Sequence, residues 1–257
     1  MLFYEPANSG NHDVFRAYLS DNIDFPAHFH RAFEMLDVIS GSITVTVGQN
    51  SYTLSAGEAI LVLPDEIHSY HTADNVHCHM LIFSEDHAQS AYNMLKGKAL
   101  ASPVFRIDDR IRGYIFDCLM DEGISRLHRK ACTSLICAEA LRASALVDCD
   151  RKEEALLYKI IVFVQSGFAQ DISLRDVAKH LGYDYSYLSR YLNRYLRMSF
   201  ADFLNGCRVG YAASLLQNES MKITEIARVC GYENVRTFNR NFQKVYHCTP
   251  REFRSKA

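Results

Sequence analysis

The chain has 257 residues, 48% of them apolar, which suffices for a sizeable core and suits two ordinary domains better than one large one. The net charge of -2 hides an asymmetry, because residues 1–168 hold 14 Lys/Arg against 22 Asp/Glu and residues 169–257 hold 14 against 8. The first part repels a polyanion and the second attracts one, so nucleic-acid contact is expected in the last ninety or so residues.

In chain order, Met1-Leu2-Phe3-Tyr4-Glu5 lacks the basic stretch and apolar run of a leader. No later segment reaches the roughly 18 uncharged apolar residues of a membrane span. The expectation is a soluble, cytoplasmic protein with no membrane partner. From Phe25 to Phe83 short apolar runs alternate with period two, as in Ser42-Ile43-Thr44-Val45-Thr46-Val47, and are broken by Gly41, Gly48-Gln49-Asn50 and Ala56-Gly57. These are strands of a β-barrel or sandwich. His28 and His30 alternate on one of them and share a face, Glu34 follows four residues later, and His68 arrives after Gly57 and Pro64. Three imidazoles and a carboxylate converging in a barrel suit a divalent ion such as zinc, iron, manganese or nickel. They equally suit a metal-free pocket that hydrogen-bonds a small polar effector, or a stabilised barrel interior. His71, His77 and His79 enlarge the cluster.

After about Glu85 the period lengthens towards helix. Leu127, Ala131, Ser134, Ala138, Leu141 and Ala145 fall at alternating spacings of four and three, a seam for a dimer contact or for packing on the chain's own barrel. Val147-Asp148-Cys149-Asp150-Arg151-Lys152 reads as a linker, and everything after it as helices. The eight cysteines (Cys78, Cys118, Cys132, Cys137, Cys149, Cys207, Cys230, Cys248) form no C-x-x-C pair. A zinc knuckle, a redox motif and a disulfide framework are thereby disfavoured, and the cysteines read as reduced, small apolar residues.

Leu174-x-x-Val177-Ala178-x-x-x-Gly182-Tyr183 recurs as Ile223-x-x-Ile226-Ala227-x-x-x-Gly231-Tyr232, a repeat after 49 residues. The chemistry is that of a helix-turn-helix. Crossing helices need a small contact residue (Ala178, Ala227), the turn needs a glycine (Gly182, Gly231), and an apolar residue anchors each second helix (Leu188, Phe238). Ser173 with Asp176, and Thr249 with Glu252, read as capping boxes, with Pro250 at a first helical position. Ser199 caps an intervening helix with an apolar face at Phe200, Phe203, Leu204, Cys207, Tyr211 and Leu215. At roughly 25 Å it spaces the two second helices for successive major grooves, near the ~34 Å repeat of one DNA face. The expected DNA-facing residues are Ser186, Ser189, Arg190, Asn193 and Arg194 in the first unit, and Val235, Arg236, Thr237, Asn239 and Arg240 in the second.

Gly231-Tyr232, Phe238-x-Arg240-x-Phe242 and Thr249-Pro250-x-Glu252-Phe253-Arg254 resemble the most characteristic stretch of the AraC/XylS family of bacterial regulators, and the likeness runs from about Lys152 to the end. Arg197 and His247 stand where that family has a helix-ending glycine, and Lys222 replaces a usual N-cap. The spacing His28-x-His30-x3-Glu34-x6-Gly41 resembles the first cupin motif, and Gly57 to His68 a degraded second one, with Leu63, Asp65 and Thr72 departing from it. The resemblance implies an α+β multidomain chain. A cupin-like β-barrel would occupy residues 1–88, a helical dimerisation and linker region 89–151, and an all-α DNA-binding domain 152–257, with helix-turn-helix units at about 173–196 and 222–246. It further implies a non-enzymatic, sequence-specific transcriptional regulator, an activator by expectation. A small-molecule effector would be held by His28, His30, Glu34 and His68. The partners implied are a double-stranded DNA operator, a second copy of the chain and, for an activator, RNA polymerase. Regulators of this kind often keep such histidines without a known metal, so no cofactor is required. The alternatives are a metal-dependent cupin enzyme and a metal-responsive regulator using the same four residues.

Overall fold

The computed structural model describes residues 3–5, 8, 14–72, 75–148, 152–196, 198–218 and 221–256. In chain order its elements are β1 (Phe3–Tyr4), β2 (Phe15–Asp21), β3 (Phe25–Phe29), β4 (Phe33–Ser40), β5 (Ser42–Val47), β6 (Asn50–Ser55), β7 (Ala59–Val62), β8 (His68–His71), β9 (His77–Phe83), α1 (Gln89–Leu95), β10 (Lys98–Leu100), β11 (Val104–Phe105), α2 (Asp109–Leu119), α3 (Arg126–Ala143) and β12 (Leu146–Asp148). Seven helices follow: α4 (Lys152–Gly167), α5 (Leu174–Leu181), α6 (Tyr185–Tyr195), α7 (Phe200–Asn218), α8 (Ile223–Val229), α9 (Val235–Tyr246) and α10 (Pro250–Lys256). The chain divides into two compact units, one of Met1–Ala7, Pro26–Phe29 and Lys152–Ala257, the other of Asn8–Phe25 and His30–Arg151.

In the second of these, one antiparallel sheet has the order β11-β7-β4-β9-β2, and β5 pairs with both β6 and β8. The two layers close on an apolar interior made of Leu36 and Val38 from β4, Ile43 and Val45 from β5, and Leu54, Ile60, Tyr70, Cys78 and Met80. The opposite face of β4 is covered as well. Phe33 and Met35 share a core with Ala91 and Leu95 of α1, Ile115, Phe116 and Leu119 of α2, and Ile136, Cys137 and Ala140 of α3. The helices of residues 89–148 therefore belong to the same packed unit as the strands. Burying each large apolar side chain contributes about 1.5–3 kcal/mol. With both faces covered, β4 is buried from Phe33 through Val38 and shows no polar-apolar alternation.

Helix α3 separates the two readings of its seam. Its core-facing residues are Cys132, Thr133, Ile136, Cys137 and Ala140, while Leu127, Ala131, Ser134, Ala138 and Ala145 are exposed and Leu141 is half-buried. Most of the seam therefore faces outward, while Leu141 packs against the core shared with the strands and Ser134 Oγ reaches His87 O at 3.5 Å. The linker expected at residues 147–152 is corrected in part. Val147 pairs with Ala99 and Asp148 with Lys98 in an antiparallel ladder, Lys152 begins α4, and Cys149, Asp150 and Arg151 lie outside the described residues. Among the described cysteines, Cys78, Cys132, Cys137, Cys207 and Cys230 are buried, and burial pushes the Cys78, Cys137 and Cys230 thiols up to about 12. Such thiols are poor nucleophiles.

In the first unit, β1 pairs in parallel with β3, Phe3 opposite His28 and Tyr4 opposite Phe29. The remaining elements are helical, and α7 is their longest, 19 residues or about 28 Å. Its buried residues include Phe203, Cys207, Val209 and Ala212, and the Phe203 ring stacks on Phe29 at 6.3 Å.

Candidate functional site

Two α-helical pairs repeat one backbone design. The turn after α5 passes through Gly182 at φ +71°, and the turn after α8 through Gly231 at φ +79°. In each, the following tyrosine N–H closes on the small contact residue, Tyr183 N to Ala178 O and Tyr232 N to Ala227 O, both at 3.0 Å. Ala178 and Ala227 are buried where the helices cross, and Leu188 and Phe238 are fully buried anchors of the second helices. Gly231 carries an additional constraint, because a Cβ there would sit 2.7 Å from Ala169 O, whereas open space surrounds Gly182.

The second helices start at caps the sequence reading did not single out. Asp184 accepts from Tyr187 N at 3.0 Å, and Asn234 accepts from Arg236 N at 2.7 Å. Both are residue types that prefer this position, which was the available signal. Around Thr249 the capping box is complete: its N–H donates to Glu252 at 2.7 Å, and its hydroxyl accepts from Glu252 N at 3.2 Å. Ser173 N–H likewise donates to Asp176 at 2.8 Å, and the hydrogen bonds from Ser173 hold the Asp176 carboxyl below its ordinary range. At Lys222 only the return bond exists, Lys222 N to Glu225 at 3.1 Å, because an ammonium has no acceptor to offer. His247 takes up the left-handed conformation at φ +56°, and Arg197 lies outside the described residues.

On α6, Leu188, Tyr191 and Leu192 are buried, Ser186, Arg190, Asn193 and Arg194 are exposed, and Ser189 is half-buried. Asn193 turns its Nδ2 back to Ser189 O at 2.9 Å. On α9, Phe238, Asn241, Phe242 and Val245 are buried, Arg236, Asn239 and Arg240 are exposed, and Val235 and Thr237 are half-buried. Ser186, Arg190 and Asn193 fall at helical spacing on one stripe, as do Arg236 and Arg240. Among the described residues, no carboxylate pairs with Arg190, Arg236 or Arg240. The first unit also exposes Tyr183, Tyr185 and Tyr187, with the Tyr183 and Tyr187 rings stacked at 5.5 Å. The sequence reading missed this aromatic group. Its signal was the i, i+4 spacing of tyrosines without an apolar partner stripe.

The second constellation is in the strands. Glu34 lies on the interior face of β4 with Leu36 and Val38, and His68 and Tyr70 on the interior face of β8. Glu34 Oε2 lies 2.6 Å from His30 Nε2 and 3.4 Å from His68 Nε2, and Tyr70 Oη donates to Glu34 Oε1 at 2.6 Å. His30 Nδ1 faces Ala32 O at 3.1 Å, His68 Nδ1 faces Glu66 O at 2.9 Å, and His28 Nδ1 faces Pro26 O at 3.0 Å. A carbonyl only accepts, so each Nδ1 carries a proton and each Nε2 is directed away from its own backbone. His28 precedes His30 by two residues along one extended segment, and the ligand atoms of His28, His30, Glu34 and His68 all lie within 4.8 Å of one another. Burial raises the Glu34 carboxyl, yet the hydrogen bonds from His30 and His68 outweigh it and hold Glu34 well below the usual range. The pocket thus presents an anion ringed by imidazoles. Tyr70 was missed, although its alternation with His68 along β8 placed it on the same face.

The other three histidines do not join this group, contrary to expectation. His71 pairs with Asp24 at 3.4 Å and His77 with Asp21 at 2.6 Å, all four side chains being exposed. His79 Nδ1 meets the buried Asp37 at 2.9 Å on the outer face of the sheet, and its ring stacks on Phe116 at 3.8 Å. Asp37 also accepts two bonds from Arg112, at 3.0 and 2.7 Å, which fastens α2 to β4.

Comparison with known proteins recognises both the ligand-binding and the helix-turn-helix parts of the chain. Residues 11–161 match the model of the AraC-like ligand binding domain, and residues 177–256 that of a helix-turn-helix domain. The HTH-type transcriptional activator RhaS of Escherichia coli K12 is 24% identical over 260 residues, covering 96% of this chain and 93% of RhaS. RhaS of Escherichia fergusonii is 22% identical over 246 residues, covering 90% and 87%. Among solved structures, ToxT from Vibrio cholerae has a TM-score of 0.68 at 16% identity, covering 94% of this chain and 98% of ToxT. ToxT bound to an unsaturated fatty acid has a TM-score of 0.67 at 17% identity, covering 95% of each chain.

Proposed function

This chain belongs to the AraC/XylS family, and as a ligand-controlled, DNA-binding transcription regulator of that family we propose that it reads its operator through α6 and α9. The observation that carries this reading is the pair of equivalent turns, each followed by a helix with a buried anchor and exposed polar side chains. Arg236, Asn239 and Arg240 contact base edges in one major groove. Ser186, Ser189 and Arg190 do so in the next, and Asn193 and Arg194 lie nearer phosphate. Val235 and Thr237 pack at the groove wall. The naming of RhaS as an activator supports activation, with RNA polymerase as a partner. The exposed seam Leu127, Ala131, Ser134 and Ala138 on α3 supports a homodimer, and the absence of any membrane-length apolar helix among the described residues is consistent with a cytoplasmic site of action. Selection of bound duplexes from a random pool, followed by footprinting, tests the reading. Two adjacent major-groove contacts per protomer are expected, and a footprint confined to one groove rejects it.

The barrel holds the effector, with His30, Glu34 and His68 as its polar anchor and His28 beside them. A polar ligand offering donors to Glu34 and acceptors to the imidazoles satisfies every group there. A second reading, metal responsiveness, is favoured by the three Nδ1-to-carbonyl bonds, the arrangement that prepares Nε2 atoms for a cation. His28, His30, Glu34 and His68 would hold a divalent ion, which would supply a charge or an open coordination position for the effector. Elemental analysis of protein purified without added metal separates the two readings, and turnover assays on the loaded protein test the enzymatic alternative.

A further inference from the structure

A cavity of about 540 Å³ opens in the helical unit between α5, α6 and the start of α7. Cavities of about 300–1,000 Å³ accommodate small organic ligands. Its floor is apolar, formed by the buried Leu174, Leu192, Phe200 and Leu204. Two arginines line it, and they differ. The Arg208 guanidinium is committed internally, donating from Nε to Phe168 O at 2.7 Å and from Nη2 to Gln170 O at 2.9 Å. It also lies over the Tyr232 ring at 5.5 Å, so Arg208 is wall. Arg175 is exposed at the rim, 5.6 Å from the centre of the Tyr185 ring, and no carboxylate among the described residues pairs with it. Asp171, which also lines the cavity, leaves it uncompensated.

An apolar floor beside a planar, unneutralised cation selects a molecule with an apolar body and a planar anionic end. A guanidinium binds a carboxylate through two parallel N–H bonds, and that of Arg175 is held 5.6 Å from the Tyr185 ring centre at the rim. We propose that this cavity binds a small aryl carboxylate, with its anionic group on Arg175 and its rings on Leu192, Phe200 and Leu204. Ser189 and Asn193 of α6 line the same cavity, so its occupant and DNA compete for one face. That consequence rests on the DNA-reading role given to α6, whereas the binding itself does not.

Calorimetric titration of the full chain with 2-naphthoate tests the site, with 2-naphthamide as the uncharged control of the same shape. Saturable one-to-one binding is expected for the acid. It weakens about tenfold for the amide and in Arg175→Ala, as expected for loss of a charge-assisted bidentate bond. Ala201→Phe, which fills the cavity from the first turn of α7, abolishes it. Equal binding of acid and amide, or unchanged binding in both variants, overturns the proposal. Should Ala201→Phe fail to fold, Arg175→Ala at an exposed side chain carries the test alone. Binding that behaves as expected but leaves the affinity for a selected operator duplex unchanged rejects the role of α6 and keeps the site.

Discussion

The two helix-turn-helix units share a backbone and differ in what they offer DNA. Their turns have the same left-handed glycine and the same 3.0 Å closing bond. The second presents Arg236, Asn239 and Arg240 from α9, whereas α6 presents Ser186, Ser189, Arg190, Asn193 and Arg194 beside the exposed rings of Tyr185 and Tyr187. Turn geometry and helix crossing are dictated by backbone sterics, which tolerate few residue types, so they stay alike within the repeat. Exposed donors are free of that constraint, and recognition can diverge on a constant frame. On the reading proposed for α6 and α9, the second unit carries more of the base discrimination than the first.

The largest difference between the two units is expected at the glycines. Gly231→Ala combines left-handed strain with a clash against Ala169 O, and is expected to cost about 2–5 kcal/mol in urea unfolding, against about 1–2 for Gly182→Ala in open space. Equal losses would mean that the Ala169 contact yields freely. Next comes recognition. Arg240→Ala and Arg236→Ala should each weaken operator binding by about 1–3 kcal/mol and relax specificity at one position, whereas Ser186→Ala should cost about 1 kcal/mol or less. Gel-shift titrations at fixed salt decide it, and equal effects in both units would abolish the asymmetry. His247→Gly should stabilise by roughly 0.5–1 kcal/mol, because the left-handed position at φ +56° then carries no side chain. Effects of similar, small size are expected at the caps. Lys222→Ser should raise stability by about 0.5–1 kcal/mol by giving the first turn of α8 an acceptor, while Thr249→Ala should lower it by about 1 kcal/mol. Thermal denaturation of the pair reads both, and a destabilised Lys222→Ser would show that lysine serves there through something other than capping.

In the strand-rich unit the two faces of β4 differ in what they meet. Glu34, Leu36 and Val38 point into the barrel, while Phe33, Met35 and Asp37 point to the helices. Because both sides are buried, period two is invisible along this strand, and nothing in the sequence assigned Asp37 to Arg112 or His79 to Phe116. Those partners lie 75 and 37 positions away along the chain. The short strands β10, β11 and β12 went unread for a related reason, since two or three residues carry no period and are defined only by the partner that pairs with them.

Local chemistry was legible from the sequence alone: the 49-residue repeat, the glycines at its turns, the capping boxes, the buried anchors, and the His28, His30, Glu34 and His68 set. Apart from His68, which meets Glu34 from 34 positions away, each depends on backbone sterics or on neighbours within a few residues, which the order of amino acids states directly. Only the tertiary structure decided which groups meet across the chain. It brought Tyr70 onto Glu34, turned His71, His77 and His79 away, left the α3 seam exposed, and opened a cavity beside Arg175. The reason is physical: burial and partnership belong to surfaces that exist only once distant segments pack, and a half-apolar chain has many ways to distribute them.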